Sequence, residues 1–398
     1  MSFFEQVTPA TPDAIFGLSR AFAEDPRKEK VNLTVGLYKT EELITPILPS
    51  VKKAEEEILR SEKSKEYLPL EGHKVYLEEI GKLLFGELIW TESSARIAKV
   101  QAVGGTHALR SGGEFLVQEK IADTIHVSDP TWPNHRAIFA RAGMRIENYP
   151  YYGHEKHDLS FEKMRAYLSK LPSRSVVLLH ACCHNPTGAD LSLDQWKELS
   201  QLFLSKKLIP FFDLAYQGFD RGLAEDAEAI RLFAREGHEM VVAYSLSKNF
   251  GLYAERVGAL FVVCETHKSR ENVGSKLVAT TRPNISNPPL HGAQIVATIL
   301  TNSKLKKEWE MELTAMRERI NGMRNKLAEA LSSKTKKVDF SFLKERAGLF
   351  SFSGLNSAQV ERLIRDYGIY MTKDGRINAV GLNSANLDYV VNSILSVV

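Results

Sequence analysis

The chain reads as an α/β protein built on a mainly parallel sheet, with a second, smaller α+β unit beside it. Two patterns predict this. Between about Arg96 and Val263 a short β-branched run, a polar or glycine-bearing turn and a helical period follow one another repeatedly. Strands buried on both faces of a parallel sheet have this appearance, because each must return through a helix and neither face meets water. After about Lys304 the alternation gives way to one long helical tract and then to short mixed elements, which suits a separate small unit.

The strand candidates, in order, are Ala98 to Val103, Thr124 to Ser128, Ser175 to Ala181, Leu208 to Asp213, Met240 to Ser245 and Val257 to Val263. The helical tract, Lys304 to Ser333, carries Trp309, Leu313, Met316, Ile320, Met323 and Leu327 at spacings of three and four, so one face is apolar. Beyond the polar stretch Ser332 to Lys337, short strands are expected at Leu349 to Phe352 and Ile377 to Val380. A boundary is expected near residue 310, bridged by the helix. No internal repeat or low-complexity segment is evident.

Composition narrows the function. Of 398 residues, 43% are hydrophobic, enough for one large core and a smaller one. Lys and Arg total 52 against 49 Asp and Glu, a net charge of +3, so no broad field would gather nucleic acid or an anionic membrane. Residues Met1 to Lys30 carry Glu5, Asp13, Glu24 and Asp25 and hold no apolar run suited to a signal peptide, while runs such as Val176 to Leu179 are far too short to span a bilayer. A soluble, cytoplasmic protein is the expectation. Three cysteines, two of them adjacent, make neither a disulfide framework nor a C-x-x-C pair, and a reducing compartment fits.

Four segments at strand ends carry groups suited to chemistry. Val103-Gly104-Gly105-Thr106-His107 leaves a strand and opens a helix, so backbone N–H groups would point at one spot; this is either a phosphate cradle or an ordinary turn. His180-Ala181-Cys182-Cys183-His184-Asn185-Pro186-Thr187-Gly188 invites a zinc reading, but successive Cys-Cys-His ligands do not converge on a tetrahedral ion, and no metal is expected. Asp213, in Phe212-Asp213-Leu214-Ala215-Tyr216, is either a helix cap or the partner of a buried cationic nitrogen. Lys248, in Ser245-Leu246-Ser247-Lys248-Asn249-Phe250-Gly251, either snorkels to water or is a Schiff-base lysine whose pKa burial and neighbouring cations lower.

Together these stretches, with Thr131-Trp132-Pro133-Asn134-His135 and Arg282 to Pro289, resemble class I aminotransferases, in the subgroup of aspartate and aromatic amino acid aminotransferases. The resemblance runs from Asn32-Leu33-Thr34-Val35-Gly36-Leu37-Tyr38-Lys39 to Gly375-Arg376-Ile377-Asn378. It implies pyridoxal 5'-phosphate (PLP) as cofactor and the fold type I architecture of these enzymes: a large domain with a mainly parallel seven-stranded sheet and a small α+β domain. The domain division it implies is 1-45 for the N-terminal arm and first part of the small domain, 46-309 for the large cofactor-binding domain and 310-398 for the rest. Residues before about Asp13 would lie against a partner subunit.

The resemblance implies roles residue by residue. Lys248 would be the Schiff-base lysine and the base at the substrate Cα, Asp213 the partner of the pyridine nitrogen, and Tyr216 and Asn185 the hydrogen-bonding partners of the phenolic oxygen. Trp132 would stack on the ring. Gly105, Thr106, Ser245 and Arg256 would clamp the phosphate, with Tyr67 reaching it from the neighbouring subunit of a homodimer. Arg376 would bind the substrate α-carboxylate, Arg282 a distal carboxylate across the interface, and Gly36 would approach the substrate closely. His135 and His184 match positions near Asp213. Two departures stand out: His107 occupies a position where a small residue is common, and Ile285 one where relatives carry an aromatic ring.

The implied reaction is ping-pong transfer of an amino group from an L-amino acid to 2-oxoglutarate, alternating PLP with pyridoxamine phosphate. Arg282 argues for a dicarboxylic donor, aspartate first, since a buried guanidinium lacking a carboxylate is costly. Leu37, apolar at the pocket mouth, leaves an aromatic donor such as tyrosine or phenylalanine open. A PLP lyase or decarboxylase on the same fold is the alternative of a different class.

Overall fold

The computed structural model describes residues 3–9 and 14–398. One sheet contains seven strands: β1 (Ile97–Val103), β2 (Thr124–Asp129), β3 (Arg145–Pro150), β4 (Val176–His180), β5 (Ile209–Leu214), β6 (Met240–Ser245) and β7 (Val257–Val263). Their spatial order is β1-β7-β6-β5-β4-β2-β3, and only β7 runs against its neighbours. The fold is thus the mainly parallel α/β arrangement that the sequence predicts. The one sheet strand absent from the expected set is β3. It lies at the sheet edge, its residues Arg145, Glu147 and Asn148 face water, and no apolar run marks it.

Alternate residues feed two cores. Val176, Leu178 and Phe211 pack on the face covered by helices Gly104–Gln118 and His267–Ile285, while Val177, Leu179 and Phe212 join the larger cluster on the other face. Every residue of β6 and β7 is buried, so neither shows alternation in sequence.

A third core joins the two ends of the chain. Val31 and Leu33 pack with Ile369, Ile377, Leu382, Val390 and Ile394, and Val31–Asn32 pairs in parallel with Ile369–Tyr370. Phe350–Phe352 pairs antiparallel with Arg376–Asn378, within a residue or two of where the sequence places short strands. Helix Ser303–Lys334 ties this unit to the rest: Trp309, Leu313, Met316 and Ile320 belong to the large core, whereas Met323, Leu327 and Leu331 belong to the small one. The change of core falls between Ile320 and Met323 of this helix. Gly322 sits at that change, with nothing within 4 Å of where a Cβ would stand. The N-terminal arm expected before Asp13 falls partly outside the described residues; Phe3 and Phe4 are 88% and 81% exposed.

Candidate active site

The parallel strands β2, β4, β5 and β6 all end on one edge of the sheet, the position where open α/β sheets bind ligands. The reversed β7 adds to this edge. Its register sets Val257 opposite Val103 and Gly258 opposite Ser245, so Arg256, just before it, arrives beside the ends of β1 and β6. A cavity of about 240 Å³ opens there, lined by Gly36, Gly105, Thr106, Leu109, Trp132, His180, Cys182, Asn185, Asp213, Ala215, Tyr216, Ser245, Ser247, Lys248, Arg256, Phe350 and Arg376.

Lys248 and Asp213 face this cavity from adjacent strand ends. The Lys248 Nζ lies 5.1 Å from the centroid of the Tyr216 ring. Burial lowers its pKa, the Asp213 charge partly opposes this, and the Arg256 charge adds to it, so the amine sheds its proton more readily than an ordinary lysine. Burial pushes the Asp213 carboxyl up, but the hydrogen bond from His135 and the fields of His135, His180 and Lys248 outweigh it, leaving the group below its usual range. Asp213 is therefore a persistent anion. Burial also raises the Tyr216 phenol above its ordinary value.

A directed chain of hydrogen bonds supports Asp213. The Asn185 N–H donates to His180 Nδ1 at 3.2 Å, which leaves the proton of a neutral ring on Nε2, 3.3 Å from Thr131 Oγ1. Burial, reinforced by His135, pushes the His180 pKa down to about 3, so the ring is neutral. Thr131 then donates to His135 Nδ1 at 2.8 Å, and His135 Nε2 donates to Asp213 Oδ2 at 2.9 Å. His184, which the sequence comparison also set near Asp213, is committed elsewhere: its ring bonds Ser128 and Thr187, each at 2.9 Å, and stacks on His180. The second ring of the network is His180, whose place at the end of β4 is the signal that could have identified it.

At the opposite end of the cavity, Gly105, Thr106, Ser245 and Arg256 line the wall, and the glycines bring the backbone close to the other two. A Cβ on Gly104 would stand 2.6 Å from Arg256 Nη2, and one on Gly105 would stand 3.0 Å from Ser245 Cβ. Gly104 also has φ +74°, where glycine avoids strain. Gly258 lets the strand pass this corner, since its Cβ would meet the Gly104 carbonyl carbon at 2.7 Å.

Arg376 closes the remaining side. It is 3% exposed, lies 4.1 Å from the Phe350 ring, and donates to Asn185 Oδ1 at 3.2 Å and to the Thr34 carbonyl at 2.9 Å. Among the described residues no carboxylate forms a salt bridge with it, though the Asp374 charge acts on it from further off, and its buried Nε has no partner. Such a group calls for an anionic ligand. Gly36 packs on the same ring, its would-be Cβ 2.9 Å from Phe350 Cζ.

The family model for aminotransferase class I and II matches residues 28–394. The chain is a class I and II aminotransferase. This aminotransferase is 45% identical to an aspartate aminotransferase of Salmonella typhi over 394 residues, 99% of this chain and 100% of the relative. It is 43% identical to an aromatic-amino-acid aminotransferase of Escherichia coli, again over 99% and 100% of the two chains. A solved aromatic-amino-acid aminotransferase from Burkholderia pseudomallei, covalently bound to pyridoxal phosphate, superposes with a TM-score of 0.96 at 42% identity, covering both chains in full.

Within one chain of the aminotransferase, two expected site residues stand apart from the cavity. Tyr67 is 89% exposed, and Arg282, near the end of helix His267–Ile285, is exposed and donates to Asn287 Oδ1 at 3.1 Å. Ile285 ends that helix half-buried and does not line the cavity. Phe350, Ser247, Cys182, Ala215 and Leu109 line it without having been singled out from sequence. The Cys182 and Cys183 thiols do converge, but on Asp226 and not on His184, within 4.8 Å of one another. They form a poor ligand set. The Cys183 bond pulls the Cys182 thiol down, yet burial and nearby carboxylates carry it up to about 12, and the Asp226 oxygens already accept from Gly218, Asp220, Arg221 and Gly222.

Proposed function

We propose that this aminotransferase uses PLP to move the amino group of an L-amino acid, aspartate foremost, to 2-oxoglutarate, and that it works as a homodimer in the cytoplasm. The observation that carries the reading is Arg376: a buried, carboxylate-free guanidinium with an orphaned Nε, facing the same cavity as Lys248. The residues present fit the cofactor, since Gly105, Thr106, Ser245 and Arg256, donors suited to a phosphate, line one cavity with Lys248 and Asp213. PLP, when bound, supplies an electron sink for the charge left at the amino acid's Cα after deprotonation.

The chain's own residues do the rest. Gly105, Thr106, Ser245 and Arg256 would hold the phosphate, and Trp132 would pack on the ring. Asp213, kept anionic by the His135 hydrogen bond, would keep the pyridine nitrogen protonated. Asn185 and Tyr216 would bond the phenolic oxygen. Lys248 would hold the cofactor and, with its lowered pKa, would take and return the proton at Cα. The Arg376 fork would receive the α-carboxylate, and Gly36 would allow the substrate to lie close to the backbone.

The exposure of Tyr67 and Arg282 supports a shared site, in which each reaches the cavity of the partner subunit. No helix among the described residues is long and apolar enough to cross a membrane.

The aspartate-named relatives favour a dicarboxylic donor. Leu37, half-buried beside Gly36, keeps aromatic donors as the second reading. Comparing kcat/KM for aspartate, tyrosine and phenylalanine with 2-oxoglutarate decides between them: a tyrosine preference above about tenfold, roughly 1.4 kcal/mol, overturns the aspartate assignment. Release of ammonia or carbon dioxide in place of oxaloacetate would instead mark a lyase or decarboxylase.

A further inference from the structure

We propose that His107 is a positioning residue that braces the phosphate cradle from behind, an inference that rests on the PLP reading above. His107 does not line the cavity. Its Nδ1 accepts the N–H of Val103 at 3.2 Å, and its Nε2 lies 3.3 Å from the buried Ser111 Oγ one turn further along the same helix. With Nδ1 accepting, the neutral ring carries its proton on Nε2 and donates it to Ser111, so the serine fixes the tautomer that the brace requires.

Val103 is the last residue of β1, and Gly104 at φ +74° turns the chain into the helix. The brace thus spans the corner, from the helix's first turn back to the strand. Gly104 and Gly105, which the corner carries, lie against Arg256 and Ser245. Loss of the brace releases the corner and lets the cradle N–H groups drift from the arginine. The effect should concern the phosphate and spare the rest of the cofactor.

Apo-protein is titrated with PLP and, separately, with pyridoxal, which lacks the phosphate, and binding is read from the absorbance of the bound chromophore. His107→Ala is expected to weaken PLP about five- to tenfold, the scale of one lost hydrogen bond, and to leave pyridoxal within about twofold. His107→Asn, whose Oδ1 can still accept the Val103 N–H, is expected to recover most of the loss, and Ser111→Ala to lose about two- to threefold. Ser111→Ala and His107→Asn also carry the test if His107→Ala does not fold. Equal weakening of PLP and pyridoxal, or unchanged PLP binding in all three variants, overturns the brace. Wild-type protein that binds no PLP overturns the PLP reading itself, and the brace with it.

Discussion

Replacing Arg376 by methionine should separate activity from stability. The guanidinium makes two charged hydrogen bonds, to Asn185 Oδ1 and to the Thr34 carbonyl, and rests on the Phe350 ring. Hydrogen bonds to a charged group contribute about 1.5–3 kcal/mol each, so losing both costs about 3–6 kcal/mol. Against this, burying a guanidinium with no carboxylate in contact costs several kcal/mol, which the methionine removes. The two effects nearly cancel, and the holoenzyme should melt within a few degrees of wild type. No such offset operates for the substrate. A bidentate carboxylate pair lost with the fork is again about 3–6 kcal/mol, or roughly 10²- to 10⁴-fold in kcat/KM for aspartate. Arg376→Lys, which keeps the charge and one bond, should fall between. Steady-state kinetics and thermal melts on the same preparations check both halves. A melting temperature lowered by more than about ten degrees with kcat/KM within tenfold of wild type would refute the reasoning and make Arg376 a strut between Thr34 and Asn185.

His135→Leu removes the hydrogen bond that draws the Asp213 carboxyl below its usual value. The wild-type depression stabilises the fold above the ordinary carboxylate range and is lost as pH falls through the lowered pKa; in the variant the acid limb of kcat/KM should move to higher pH, and an unmoved limb argues against the linkage. Asp190 shows the opposite sign: burial lifts its carboxyl to about 7, so the native state holds a proton that the unfolded chain releases, and stability should fall as pH rises from about 4 to 7. Asp190→Asn should flatten that part of the denaturation midpoint's pH dependence, with a persistent slope counting against it. Gly188→Ala sets a Cβ 2.4 Å from the Phe350 carbonyl at φ +66° and should cost about 2–4 kcal/mol in chemical denaturation; a loss under 0.5 kcal/mol would show that the two loops separate freely.

The sheet was largely legible in the sequence because most of its inner strands are short, largely apolar and β-branched or aromatic runs. The direction of β7 was not. Val257 to Val263 is buried throughout, and a strand with no polar face carries no sign of which way it runs. Lys248, Asp213, Asn185, Trp132 and Arg256 were legible through the segments they end, and the structure brings all of them to one cavity. Phe350 was not, because its part depends on pairings across the fold: it serves the site because Arg376 and Gly36 pack on it from distant segments. His180 was passed over although its place at the end of β4 marked it. His184 was placed near Asp213 by the family resemblance, and its ring bonds Ser128 and Thr187. Tyr67 and Arg282 show the remaining limit: in a single chain both look like ordinary surface, and only the proposed homodimer would give them a part in a site.

The helix that runs through both cores has a mechanical consequence. Its 32 residues extend about 48 Å at 1.5 Å per residue. Because each half is anchored in a different core, the small unit cannot tilt against the large one unless this beam flexes. Gly322 is its softest point. Glycine weakens a helix interior by about 1 kcal/mol relative to alanine, and here no neighbour explains the missing side chain. A bend of about ten degrees at Gly322 would carry the helix end at Lys334 through roughly 3 Å, given the helical rise. The beam is therefore most compliant where its load passes from one body to the other, and Gly322→Ala would stiffen that joint without disturbing either core.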